Sequence, residues 1–174
     1  MDKTERLDLL KDLIKFDTVG GNEDEIAHYI VQLFKDHGIS SSLLEVEPGR
    51  YDVLAEIGNG QGKTIALTGH QDVVDFADIT KWETKPLDPV EKDGKLFGRG
   101  TTAMKGGLAA EIIALIELKE SGAEIPGKAK FFATVGEESS SQNHMQGAQK
   151  IAKDGLMDGI NALIVGEPTS IPVE

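Results

Sequence analysis

Apolar residues recur along this chain in two rhythms, and the switches between them mark out its elements. Over residues 4–16, Leu7, Leu10, Leu13 and Ile14 fall at helical spacing with charges between them, which predicts an amphipathic helix. After Gly20-Gly21, Asn22 followed by Glu25 has the form of a helix N-cap with its reciprocal partner, and Gly38 stands where a left-handed stop belongs. A second helix is therefore predicted over about 23–37. Residues 39–46, the alternating Tyr51, Val53, Ala55 and Ile57, and the apolar run 64–68 behind the turn GNGQG read as strands. Residues 87–97, with Asp93-Gly94 inside them, read as a hairpin. A third helix is expected over 108–119 on the stripe Leu108, Ile112, Leu115 and Ile116. A strand at 130–135, a short helix near 146–153 closed by Gly155, and a strand at 162–165 complete the pattern.

Apolar strands alternating with helices predict an α/β fold: a mostly parallel sheet with helices on both faces. Within that fold one regularity stands out. TIALT runs into Gly69-His70-Gln71-Asp72, FFATV into Gly136-Glu137-Glu138, and ALIV into Gly166-Glu167. Three strands expected to be buried thus each end in a glycine followed by a histidine or carboxylate. Ligands of open α/β sheets bind beyond the carboxyl ends of the strands, so His70, Asp72, Glu137, Glu138 and Glu167 are expected to share one crevice.

Composition narrows the chemistry. The 174 residues suffice for one domain or part of a larger one, and Lys+Arg 18 against Asp+Glu 30 leave a formal charge of −12. With no basic cluster, that balance argues against nucleic-acid or anionic-membrane partners. No apolar run approaches the ~20 residues of a membrane span, and the charged N-terminus lacks the form of a secretory signal, so a cytoplasmic protein is expected. The absence of cysteine excludes disulfides, thiolate metal sites and a cysteine nucleophile. One imidazole and several carboxylates form a donor set suited to zinc, manganese or cobalt. Asp72, two residues beyond His70, is placed to hold the ring nitrogen that faces away from a metal. Of Glu137 and Glu138, one can ligate while the other handles protons. The glycine-rich stretch 98–107 fits neither dinucleotide nor P-loop spacing, and its glycines are better explained by close backbone approach to the crevice. No GxSxG elbow supports a serine hydrolase. His28, His37 and His144 read as structural or solvated.

Four ordered motifs, TGHQDVV, LFGRGTTAMKGG, ATVGEESS and IVGEPT, resemble the metallohydrolases that include acetylornithine deacetylase, succinyl-diaminopimelate desuccinylase, aminoacylase and carboxypeptidase G. The resemblance covers most of the chain. It implies the N-terminal portion of a catalytic domain with a di-zinc aminopeptidase-like fold, cleaving an N-acyl or peptide amide bond beside a carboxylate-bearing residue. By the same resemblance His70 and Glu167 are ligands of one metal and Glu138 of the second, Asp72 orients His70, and Glu137 is the general base. The implied substrate is a small N-acylated amino acid or peptide.

Two departures alter that expectation. Where the family carries an aspartate that bridges both metals, just before Met104-Lys105-Gly106, this chain has Ala103. Beyond Glu174 the family continues into an inserted dimerisation domain and then returns to finish the catalytic domain and supply a last metal-binding histidine. The expectation is therefore weak or single-site zinc binding and an inactive or severely impaired chain. The competing expectations are a non-enzymatic binding module that keeps the fold, and a mononuclear hydrolase built on His70 and Glu167.

Overall fold

The computed structural model describes residues 1–138 and 144–169. Helix α1 (Lys3–Lys15) opens with a true capping box: Asp2 Oδ1 accepts from the amides of Thr4 and Glu5, and Glu5 Oε2 accepts from Asp2 N. Helix α2 (Asp24–Asp36) lacks the cap expected of Asn22. Its N-cap is Glu23 with no capping side chain, and Asn22 instead donates to the Asp17 carbonyl at 2.9 Å. The Glu23 carboxylate is drawn away to Arg50, a partner that local sequence does not reveal. Gly38 (φ +67°) closes α2 as expected.

Strands β1 (Ser40–Glu47) and β2 (Arg50–Gly58) form a hairpin across Pro48-Gly49. Then follow β3 (Thr64–His70), the small hairpin β4 (Val90–Lys92) and β5 (Lys95–Phe97), α3 (Lys105–Glu120), β6 (Lys128–Thr134), α4 (Gln146–Lys153) and β7 (Ile160–Val165). Asp93 and Gly94 both take positive φ in the β4–β5 turn, as an Asp-Gly turn of this length requires. Helix α3 starts three residues before the expected Leu108.

The main sheet has the order β1-β2-β6-β3-β7. It is α/β but mixed rather than mostly parallel: β6, β3 and β7 run parallel, whereas β1–β2 and β2–β6 are antiparallel. The two-residue connection permits only antiparallel pairing of β1 with β2, and β2 in turn runs antiparallel to β6. Helices cover both faces. Leu13, Ile26, Ile30, Phe34, Leu108, Ile112 and Ile116 from α1, α2 and α3 pack on Val53, Ala55, Ala129 and Phe131. The rings of Phe34 and Phe131 meet edge to face at 5.2 Å. On the opposite face Ile151 of α4 covers Ala66 and Phe132. Adjacent Phe131 and Phe132 thus serve different layers, as a strand's two-residue period dictates.

The expectation of three buried strands holds for β6, holds only in part for β3, whose Ile65 is exposed, and fails at β7. Among the described residues it is an edge strand with β3 as its sheet neighbour, and Leu163, Ile164 and Val165 are 44%, 52% and 52% exposed. An apolar sequence cannot by itself tell a central strand from an uncovered edge. No helix among the described residues is long and apolar enough to cross a membrane.

Candidate active site at the ends of three parallel strands

Because β3 lies between β6 and β7, the three glycine-terminated strands end side by side. Gln71 N donates to Thr134 O at 2.8 Å and Gly166 N to Thr68 O at 3.0 Å, so the pairing extends past the strand ends. Helix α3 presses on this edge from behind. A methyl group added at Gly107 would overlap the Gly166 carbonyl oxygen, and one at Gly69 would overlap the Met104 side chain. Within the 98–107 stretch, Gly107 therefore permits the close backbone approach expected there.

His70 is buried at 3% exposure. Its Nδ1 lies 2.8 Å from the main-chain oxygen of Asp72 and 3.4 Å from Asp72 Oδ1. The backbone carbonyl is thus the nearer partner, and Nδ1 carries the proton. Its Nε2 is buried and makes no hydrogen bond among the described residues, although Glu167 Oε1 stands 3.0 Å away and Glu138 Oε1 4.0 Å away. Burial opposes the His70 imidazolium, but the hydrogen bond and charge of Asp72, then the charge of Glu167, outweigh it and raise its pKa. Burial likewise opposes ionisation of Asp72, and His70 with the amides of Glu138 and Glu137 overcomes it, holding that carboxyl below its usual range.

The carboxylate of Asp72 has a second task. Its Oδ1 accepts from Glu137 N at 3.1 Å and its Oδ2 from Glu138 N at 2.8 Å, fixing the turn on which both glutamates stand. Gly136 at φ +74° makes that turn. Glu137 is half-buried, and burial pushes its pKa up, partly opposed by His70. Glu138 and Glu167 are more open, with side chains 32% and 40% exposed.

Ala103 occupies the turn directly before α3, next to Met104, whose sulfur accepts from His70 N at 3.1 Å. No carboxylate comes from residues 101–104. Among the described residues, no group of three or more His, Asp or Glu side chains stands gathered as a finished cation site. The fit to a divalent ion is thus partial. His70 Nε2 and Glu167 form an adjacent nitrogen and oxygen pair with Glu138 behind, whereas residues 101–104 add no carboxylate. Beside His70 a cavity of about 250 Å³ opens between α4 and the sheet, lined by Phe132, Met145, Ile151, Met157, Leu163 and Val165.

Several ionisable residues of this region escaped sequence reasoning. Glu111 of α3 is 6% exposed, and burial pushes its pKa up to about 8. Its position within the stripe of Leu108, Ile112 and Leu115 was a readable signal. Lys105, fully buried, donates to the Phe16 carbonyl at 2.8 Å, and burial lowers its pKa to about 8. Glu23, Arg50 and Asp52 carry no local signal at all. His28 and His37 are bonded to Asp24 and Glu120, outside the crevice, and His144 is exposed.

Comparison with known proteins agrees with the strand-end motifs. The model of peptidase family M20/M25/M40 matches residues 66–172. A probable succinyl-diaminopimelate desuccinylase of Staphylococcus epidermidis is 42% identical over 170 residues, covering 98% of this chain and 41% of the relative. The chain therefore spans about two fifths of the length of the curated relatives it matches. Human carnosine dipeptidase 1 superposes with a TM-score of 0.78 at 20% identity, over 97% of this chain and 39% of that one. A dinuclear metal-binding M20 peptidase of Bacillus subtilis gives 0.67 at 21% identity, over 93% and 42%. These two structures show the shared fold, and the family match identifies the lineage: this chain belongs to peptidase family M20/M25/M40.

Proposed function

We propose that the strand-end cluster is the donor set of a metal-dependent amidohydrolase, with His70 and Glu167 as ligands of one ion, Glu138 as ligand of a second, and Glu137 as general base. The observation that carries this reading is the state of His70. Its Nδ1–H is spent on Asp72, which leaves a buried, unbonded Nε2 beside a carboxylate oxygen at 3.0 Å. That is how a ligating histidine is prepared. A bound divalent ion would supply polarisation of the amide carbonyl and acidification of water. The chain's own residues then divide the remaining work. Asp72 holds the ring of His70 and the amides of Glu137 and Glu138 at once. Glu137, with its raised proton affinity and half-buried position, takes a proton from water and returns it to the leaving amine.

The name of the staphylococcal relative supports a small N-acylated amino acid as substrate, and the coverage of two fifths supports these residues as part of a longer catalytic unit. The motif resemblance alone adds to the proposal an N-terminal position in that unit, a further dimerising domain and a cytoplasmic setting. Ala103 limits what this chain does alone. Without the shared carboxylate, two dications cannot be held close together, so we infer one weak site, with zinc, cobalt or manganese as occupant, and hydrolysis that is absent or severely impaired. A mononuclear site on His70 and Glu167 is the second reading, favoured by their mutual approach.

The test is calorimetric titration of zinc into this chain and its Ala103→Asp variant. Tightening by at least about tenfold in the variant supports position 103 as a ligand position. Equal affinity refutes it, and ligand binding independent of metal would favour a non-enzymatic binding module. Zinc-dependent cleavage of an N-succinyl amino acid by the unaltered chain would favour the mononuclear site.

A further inference from the structure

Past the end of β6, four consecutive backbone amides leave the sheet's own hydrogen bonding and each meets a carboxylate. Val135 N donates to Asp52 Oδ1 at 2.9 Å, Gly136 N to Glu23 Oε1 at 3.3 Å, and Glu137 N and Glu138 N to the two oxygens of Asp72. The acceptors come from three separate elements: the start of α2, strand β2 and the loop after β3. The carbonyls of the same segment are held as well. Met145 N donates to Gly136 O at 2.7 Å and Gly147 N to Val135 O at 3.1 Å.

We propose that Glu23 and Asp52 are positioning residues for the Glu137–Glu138 turn, which together with Asp72 cradle its amides and fix where the base and the metal ligand point. The inference rests on the assignment of Glu137 and Glu138 made above.

Such a cradle is costly to build. One neutral carbonyl oxygen per amide satisfies a strand end at little desolvation penalty, whereas Glu23 and Asp52 are both fully buried carboxylates. Glu23 is compensated by Arg50, which forks onto it at 2.6 and 2.8 Å and reaches Gln146 Oε1 at 2.7 Å, tying α2, β2 and α4 together. Asp52 is less well compensated. Among the described residues its Oδ2 has no hydrogen-bond partner, Glu23 repels it, and Arg50 and Lys150 only partly offset its burial, which pushes its carboxyl up to about 7. A methyl group on Gly147 would overlap Asp52 Oδ1, so a glycine as the second residue of α4 leaves the carboxylate its place. Charge-assisted bonds to amides are the stronger class of hydrogen bond, and burial makes them directional. The result is a rigid pair of peptide units immediately before Glu137.

The experiment uses the 174-residue chain and its Asp52→Ala, Asp52→Asn and Glu23→Gln variants, with residue-resolved amide hydrogen exchange and zinc titration. Asp52→Ala is expected to speed exchange at residues 135–138 at least about tenfold while Phe131 and Ala133 keep their protection, and Asp52→Asn, which still offers an oxygen, restores it. Zinc affinity of Asp52→Ala should fall about tenfold and recover in Asp52→Asn. Glu23→Gln, which also retains an oxygen, serves as the milder probe and should speed exchange at Gly136 above all. Exchange that rises evenly along β6, or is unchanged at 135–138, overturns the cradle. Zinc binding equal in all variants overturns the positioning role. A parent chain that binds no zinc, yet shows the local exchange effect, sinks the metal-site assignment and leaves the cradle standing.

Discussion

Replacing Glu111 by glutamine should stabilise this protein at alkaline pH and leave it almost unchanged in acid. The carboxyl group is wedged from α3 beneath Gly69 and Gly166, with neither oxygen in a satisfactory hydrogen bond. Burial raises its pKa from 4.5 to about 8, only partly offset by the amides of Thr68 and Gly166. The sign follows from linkage. Below 4.5 both folded and unfolded chains hold the proton, so the group is neutral in the balance. As pH rises the unfolded chain ionises first, and the folded state loses ground until it too ionises near 8. At ~1.4 kcal/mol per unit, the full penalty is about 5 kcal/mol above that pH. Glutamine keeps the shape without the charge. For a domain of this size each kcal/mol moves Tm by roughly 2–4 °C, so thermal unfolding followed by circular dichroism should show Glu111→Gln about 10–20 °C above the parent at pH 9 and within about 2 °C at pH 4.5. A difference between the two proteins that does not change with pH would refute the reasoning. So would one that grows towards acid.

Other outcomes follow from the same geometry. Gly107→Ala should push α3 off the Gly166 carbonyl and displace Glu167, reducing zinc affinity at least about tenfold in the titration used for Ala103→Asp. Phe34→Ala removes a fully buried ring that meets Phe131 edge to face, and should cost about 3–5 kcal/mol in denaturant unfolding. Ile164→Lys places a charge on the half-exposed apolar edge strand, so any self-association seen by light scattering should diminish while the melting temperature stays nearly constant.

Much of this protein is determined by sequence on its own. Helical spacing located α1 and α3, the Gly20-Gly21 break and the Gly38 stop bracketed α2, period-two alternation located β2, and three apolar runs ending in glycine pointed to His70, Glu137, Glu138 and Glu167. These signals are local: a periodicity or a strand terminus is written in consecutive residues. The absence of a carboxylate at Ala103 is equally plain in the chain. What the sequence left open is everything set by partners far away along it. Alternation looks the same in parallel and antiparallel pairing, so the insertion of β2 beside β6 and the mixed sheet emerged only in three dimensions. An apolar strand reads alike whether covered or bare, which hid the exposure of β7. Asn22 had the form of a cap, yet the neighbouring Glu23 leaves α2 uncapped to reach Arg50, 27 residues on. The amides of 135–138 find their carboxylates 65 to 113 residues away, at Asp72, Asp52 and Glu23. A buried charge is tolerated only where the assembled fold supplies its partner, and that pairing is a property of tertiary structure.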